Sequence, residues 1–535
     1  MDESKKHMLA LIAIVLLSIV FRFYKLGTVP VWDFDEGYNM RYAYDLLQGQ
    51  ILWFAIKYTF IPHPPLFFMA YAPIIHYFGA GVYNLRALTA FYGVLTTIVI
   101  YITGRRMFNP PIGLIGAFIY AATPEVVFWN RIGFANNQFI LLSALSLYFI
   151  HTYSKTGKEI HLIAGSLSIG LSVITEYTGL FNLAAAAVYL HRYHPGKAAR
   201  MAAVSLLPTA ILFAFMLCHS PGYFLFDAAY QLHRFFSPLK ITAGLIALIA
   251  AYKLKDIANS FYSPIARSIN EDIMIFVVVI SLTSFYATED AFWHATTFLF
   301  TMSFFGLCVR PLFLMDEGRE RALLMLFLAG SVLSMLALDR ADHMTMVIYP
   351  HASIALASLL YSTYGKTKTE GSFIIRKLKL KPSNNALLAA CFYPLAVSAC
   401  LTTYLFIIGG IPGQQVEQVR QITDYINGQT NDGDLVLTYS WMFPLITNAR
   451  VGLITQSIAY DGIPIAYYSG DFPKDRFSFN TSYARAKFIV GANGTSEWIT
   501  NQTGERRIAD YIEGYNKTYV AGFLVYRNTA YNSQN

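Results

Sequence analysis

The sequence predicts a polytopic all-α membrane protein with a small α/β domain at its C-terminal end. Three observations predict it. The 535 residues are 55% hydrophobic and only 13% charged, with a mean hydropathy of +0.42, whereas soluble domains carry roughly 25% charge. Apolar runs near the roughly 17–25 residues that cross a bilayer recur from residue 8 to residue 408. After Ile411 they stop, and amphipathic and strand-like patterns replace them.

The candidate spans are 8–24, 82–103, 111–128, 138–153, 160–175, 177–191, 200–217, 238–252, 272–288, 291–310, 321–338, 344–363 and 386–408, about 13 in all. The first follows Lys5 and Lys6 and is followed by Arg22, Phe23 and Tyr24 rather than by a small-residue cleavage site, which reads as an uncleaved anchor. Segment 64–79 decides the orientation. It is apolar but short, and contains Pro73 and His76. If it does not span, then Arg105-Arg106, Lys155, Lys158, the 192–200 stretch, Lys253, Lys255, Arg319, Arg321 and the basic tract 366–381 all fall on the side of Lys5 and Lys6. That satisfies the positive-inside rule. The expected arrangement is therefore a cell-membrane protein with a cytoplasmic N-terminus. Residues 25–81 form one external loop with surface helices, and the C-terminal domain is external. A transmembrane module 1–410 and a domain 411–535 follow from this division.

The net charge of +8 does not indicate nucleic acid, because its largest tract lies between two spans and suits anionic lipid. Cys218, Cys308, Cys391 and Cys400 have no CxxC spacing, lie in or at the end of apolar runs, and predict no disulfide framework. In the C-terminal part, 413–430 is amphipathic through Val416, Val419, Ile422 and Ile426, and 434–440, 487–492 and 523–527 read as strands. Four N-x-S/T sequons, at Asn480, Asn493, Asn501 and Asn516, all fall there, in keeping with an external domain. The sequence has no repeat, P-loop, GxGxxG or Cys/His metal spacing.

The chemistry-bearing stretch is Trp32 to Pro65. It sets Asp33, Asp35 and Glu36 just beyond the first span and follows them with a helical face of Tyr38, Tyr42, Leu46 and Leu47, ended by Gly49. Two readings stand. Asp33-x-x-Glu36 is a capping box that starts a helix. The acids also suit chemistry on a lipid-linked substrate at the membrane boundary, and Asp35 is the one that capping does not need.

The pattern Asp35-Glu36-x-Tyr38, Leu47, Gly49, His63-Pro64-Pro65-Leu66, Gly79, then Arg86 in its span and a further span ending near Arg131 resembles the GT-C polyprenyl-phosphate-sugar glycosyltransferases. Within them it is similar to the branch of protein O-mannosyltransferases and lipid A aminoarabinose transferases. The resemblance implies a GT-C fold and transfer of a sugar, with inversion, from a polyprenyl (dolichyl-type) phosphate to a protein, lipid or glycan acceptor on the external face. It implies Asp35 as general base, Glu36 as its catalytic neighbour that positions the acceptor or holds the loop, and Asp33 as a substrate-binding acid. His63 stands where relatives often have Lys and either meets a phosphate or sugar hydroxyl or caps the Pro-Pro turn. Arg234 is the candidate phosphate clamp or an interfacial arginine. Arg86 is a functional arginine or the partner of a first-loop acid. The sequence departs from the pattern at Asn136 and Asn137, where relatives often carry an Asp. These amides bind sugar or orient Asp35, or the second-acid role moves elsewhere, with Asp339, Asp342 and His343 as other external candidates. No cofactor or metal is expected.

Two other functions compete. A transporter or lipid-linked-sugar flippase shares the many spans, but such proteins place ionisable residues mid-membrane and show repeated halves, neither of which the sequence has. A catalytically silent GT-C-fold partner is favoured only by Asn136 and Asn137.

Overall fold

A computed structural model describes residues 2–47, 64–219, parts of 221–229, 318–337, 343–370 and, with short gaps, 395–531. The expected spans 238–252, 272–288 and 291–310 lie outside the described residues, as do His63, Arg234, Asp339 and Asp342.

The membrane part opens with α1 (Glu3–Phe23) and α2 (Phe34–Leu47), followed by α3 (Leu66–Phe78), α4 (Val82–Met107), α5 (Pro110–Ala122), α6 (Pro124–Asn130) and α7 (Asn136–Thr156). Next come α8 (Glu159–Val173), α9 (Gly179–Tyr193), α10 (Lys197–His219), α11 (Arg319–Ala337), a 3-10 turn (His343–Ile348), α12 (Tyr349–Glu370) and α13 (Leu395–Ile408). Among the described residues, α1, α4 and α10 are long and apolar enough to cross a membrane singly, and α5 with α6 makes a fourth candidate bent by 63°. Helix α3 has 13 residues, about 20 Å at the α-helical rise, too short for a roughly 30 Å hydrocarbon core. Its inner face, Phe67, Phe68, Tyr71 and Ile75, packs on Tyr42, Ala43, Val82 and Leu85, as a surface helix lying on its neighbours does.

The α5–α6 break shows how apolar surroundings constrain the backbone. Pro124 has no N–H to continue the ladder, so the last carbonyls of α5 lose helical partners where water cannot replace them. Side chains replace them. Arg22 donates to the carbonyls of Tyr120 and Ala121, both at 3.1 Å, and Ser398 and Thr402 donate to that of Ala122 at 2.9 and 2.6 Å.

The C-terminal part contains a helix (Val416–Asn427) and a five-stranded mixed sheet. The strands are β1 (Leu435–Thr438), β2 (Arg450–Leu453), β3 (Ala486–Gly491), β4 (Asn516–Val520) and β5 (Phe523–Arg527), in the order β2-β1-β3-β5-β4. The β2-β1-β3 pairs are parallel and the β3-β5-β4 pairs antiparallel. Alternate β1 residues face opposite cores. Leu435 and Leu437 meet Ile458, Ile499, Ile508 and Ile512, while Val436 meets Ile422, Ile426 and Met442. Tyr38 of α2 packs against both the loop core and the Val436 side of the sheet, and Phe479 against the loop core and the other side. Helix α2 therefore lies between the helical bundle and the sheet.

Candidate active site

Three arginines, Arg22, Arg86 and Arg131, are wholly buried where α1, α4 and α6 meet the first loop. Arg86 pairs with Glu36 in a two-pronged contact, Nε to Oε1 at 2.7 Å and Nη2 to Oε2 at 2.6 Å, with both side chains at 0% exposure. Its other N–H groups donate to the carbonyls of Leu26, Pro30 and Val31 at 3.1, 2.9 and 3.2 Å. All five guanidinium N–H groups are thereby used. Arg131 binds the carbonyls of Phe21, Tyr24 and Val29 at the end of α1, completing backbone that the helix end leaves unpaired.

Glu36 collects two further donors. The backbone N–H of Asp33 reaches Oε2 at 2.8 Å, and that of Gly133 reaches Oε1 at 2.9 Å. Asn39 Nδ2 donates to the Gly133 carbonyl at 2.7 Å. Helix α2 is thus clipped at two points to the loop between α6 and α7. A side chain at Gly133 would displace Leu85, because a Cβ there would lie 2.3 Å from Leu85 Cδ2.

The capping reading of Asp33 and Glu36 holds: the Asp35 N–H donates to Asp33 Oδ1 at 2.9 Å while Glu36 reaches back to the Asp33 N–H. Asp35 is left in the first turn, half-buried and beside Asp33. Burial, then the charges of Asp35 and Glu36, push the Asp33 carboxyl up to about 7, against the opposing pull of the Asp35 N–H and Arg86. Of the residues singled out in the sequence, the structure brings Asp33, Asp35, Glu36 and Arg86 together.

Asn137 is 1% exposed. Its Oδ1 accepts from Asn130 Nδ2 at 2.6 Å, and its Nδ2 donates to the carbonyls of Trp129, Ile132 and Phe134. Asn130 in turn accepts from Arg22 Nε at 2.9 Å. Asn137 is therefore part of the frame that shapes the 131–135 loop, and Asn136, also buried, begins α7. Sequence reasoning missed Asn39, Asn130 and Gly133, whose only signal was polar or small residues beside apolar runs. It also passed over Glu176, in the turn between α8 and α9, where burial pushes the carboxyl up to about 8. That turn is tied to the start of α3, since the Leu66 N–H donates to the Ile174 carbonyl at 3.2 Å.

Residues 62–224 match the family described as dolichyl-phosphate-mannose-protein mannosyltransferase. The oligosaccharyltransferase AglB of Archaeoglobus fulgidus, solved with an inhibitory peptide and a dolichol-phosphate, superposes with a TM-score of 0.56 at 14% identity, over 99% of this chain and 75% of its own. ArnT of Cupriavidus metallidurans, solved with undecaprenyl phosphate, superposes with a TM-score of 0.57 at 12% identity, over 99% of both chains. No curated protein matches the sequence. The chain shares its fold with these two structures. The family match overlaps the stretch 35–150 from which the resemblance was read.

Proposed function

We propose that the protein is an integral membrane glycosyltransferase that moves a sugar from a polyprenyl-phosphate donor to an acceptor on the external face, with Asp35 as general base. The observation that carries this reading is the division of labour at the start of α2. Glu36 is paired with and immobilised by Arg86, which fixes the helix, while Asp33 and Asp35 lie half-buried at its first turn. A base must be held within hydrogen-bond reach of the proton it takes, and a helix clipped to α4 and to the α6–α7 loop holds it so.

In the proposed reaction the acceptor group attacks the anomeric carbon from the face opposite the phosphate. Asp35 takes its proton as the new bond forms, and the lipid phosphate leaves as an anion, so inversion follows. Asp33, close by, raises the proton affinity of Asp35 once it is itself ionised. His63 and Arg234 are proposed to meet the sugar or the phosphate. Arg86, Asn136 and Asn137 are proposed to act on substrate only through the loops they shape. The sheet that packs on Tyr38 is proposed to stand with α2 on the external side.

The test is an assay of purified protein with polyprenyl-phosphate sugars and candidate acceptors. Sugar transfer by the wild type supports the enzyme. Movement of the lipid-linked sugar across vesicles without cleavage supports a flippase, and neither outcome supports a silent partner.

A further inference from the structure

The end of the helical bundle opposite the acidic loop carries a groove that sugar transfer leaves unused. It lies between the last turns of α9 and the first turn of α10, has a volume of about 610 Å³, and is lined by Ala187, Val188, His191, Arg192 and Ala198. The lining is ordered along the helix axis. Residues four apart stack on one helical face, so Ala187 and Val188 lie one turn deeper than His191 and Arg192. From the interior outward the groove is apolar and then cationic. Val188 is 52% exposed, so its apolar floor is not covered by protein.

The charges at the mouth are unevenly satisfied. Lys197 and Arg200 both pair with Glu159, at 2.6 and 2.9 Å. Arg192 is exposed, and among the described residues no carboxylate pairs with it. Ala198 adds the first turn of α10, whose N–H groups and dipole also favour an anion.

We propose that this groove holds an anionic phospholipid of the leaflet opposite the acidic loop, with an acyl chain along Ala187 and Val188 and the phosphate against His191 and Arg192. A soluble phosphate has no use for the apolar floor. A zwitterionic lipid has no use for the surplus cation. Basic pockets between spans recur as headgroup sites. The site is separate from the transfer reaction and stands whether or not that reading holds.

The experiment incubates the purified full-length protein in mild detergent with phosphatidylglycerol, with phosphatidylcholine of the same acyl chains, or with glycerol phosphate. Retained ligand is then counted by native mass spectrometry. Phosphatidylglycerol is expected to be retained over phosphatidylcholine by about five-fold or more, the effect of roughly one juxtamembrane cation, and glycerol phosphate is not retained. Arg192→Ala with His191→Ala brings phosphatidylglycerol down to the phosphatidylcholine level. Val188→Trp, which fills the exposed floor, does the same and carries the test if the double variant does not fold. Lys158→Ala, a basic residue outside the groove, changes nothing. Equal retention of the two lipids, unchanged retention in the groove variants, or an equal loss in Lys158→Ala overturns the site. Capture of glycerol phosphate as firmly as the lipid overturns the lipid as its occupant.

Discussion

Glu36 and Asp33 stand three residues apart at the start of one helix, yet their surroundings are built in opposite ways. Glu36 is fully buried and meets four N–H donors, two of them from Arg86. Asp33 is half-buried beside another acid, and its carboxyl is pushed up to about 7. The first environment surrounds a carboxylate with donors, and the second leaves a carboxyl that changes charge near neutrality. The lesson is that acids in one short motif take different surroundings according to which donors reach them, and only the fold supplies those donors.

The largest effect that sharpens this contrast is on stability. Arg86→Leu leaves Glu36 charged and buried without its partner, at a cost of about 3–5 kcal/mol. A large fall in the melting midpoint of the detergent-solubilised protein is expected. Replacing both partners by apolar residues, Arg86→Met with Glu36→Leu, should recover part of that loss. A midpoint unchanged in Arg86→Leu breaks the claim that this pair holds α2.

Gly133→Ala comes next. Its Cβ would press on Leu85 and come within 3.3 Å of Glu36 Oε1, and overpacking of this kind costs about 1–3 kcal/mol. Melting of this variant, followed beside Leu85→Ala with Gly133→Ala, tests the cause, since shortening Leu85 should relieve the clash.

The smallest effect concerns Asp33. Its folded pKa of about 7 lies above the ordinary carboxyl value, so the native state keeps a proton that the unfolded chain gives up. Its contribution to stability is therefore full below the unfolded value and declines as pH rises towards 7. Turnover should move the other way, climbing through about pH 7 as ionised Asp33 strengthens Asp35 as a base. Asp33→Asn should flatten both profiles while leaving the cap in place, because the amide oxygen still accepts the Asp35 N–H. A climb that persists in Asp33→Asn assigns it to another group.

Much of the fold was legible because it is written in periodicity. The α2 capping box, the shortness of 64–79, the amphipathic helix near 416–427 and the strand 523–527 follow from local pattern. Two strands were not legible. In β2, Arg-Val-Gly-Leu is short and interrupted by glycine, and β4 is an edge strand whose residues are mostly exposed and polar. Of the site, the acids and Arg86 were visible as charges in unusual places. That Asn137 and Arg131 serve backbone carbonyls was not, because those carbonyls come from the end of α1 and from the 129–134 loop, and only the fold brings them together. The bend at Pro124 was likewise hidden inside an apolar run, though its remedy, Arg22, stood in plain view at the end of the first span.

The most direct test of the central claim compares wild type with Asp35→Asn, both shown to melt alike, at saturating polyprenyl-phosphate sugar. The account predicts that kcat falls by about 10²–10⁴-fold, the usual contribution of a general base, while donor binding is retained. Turnover by Asp35→Asn equal to that of the wild type would contradict it.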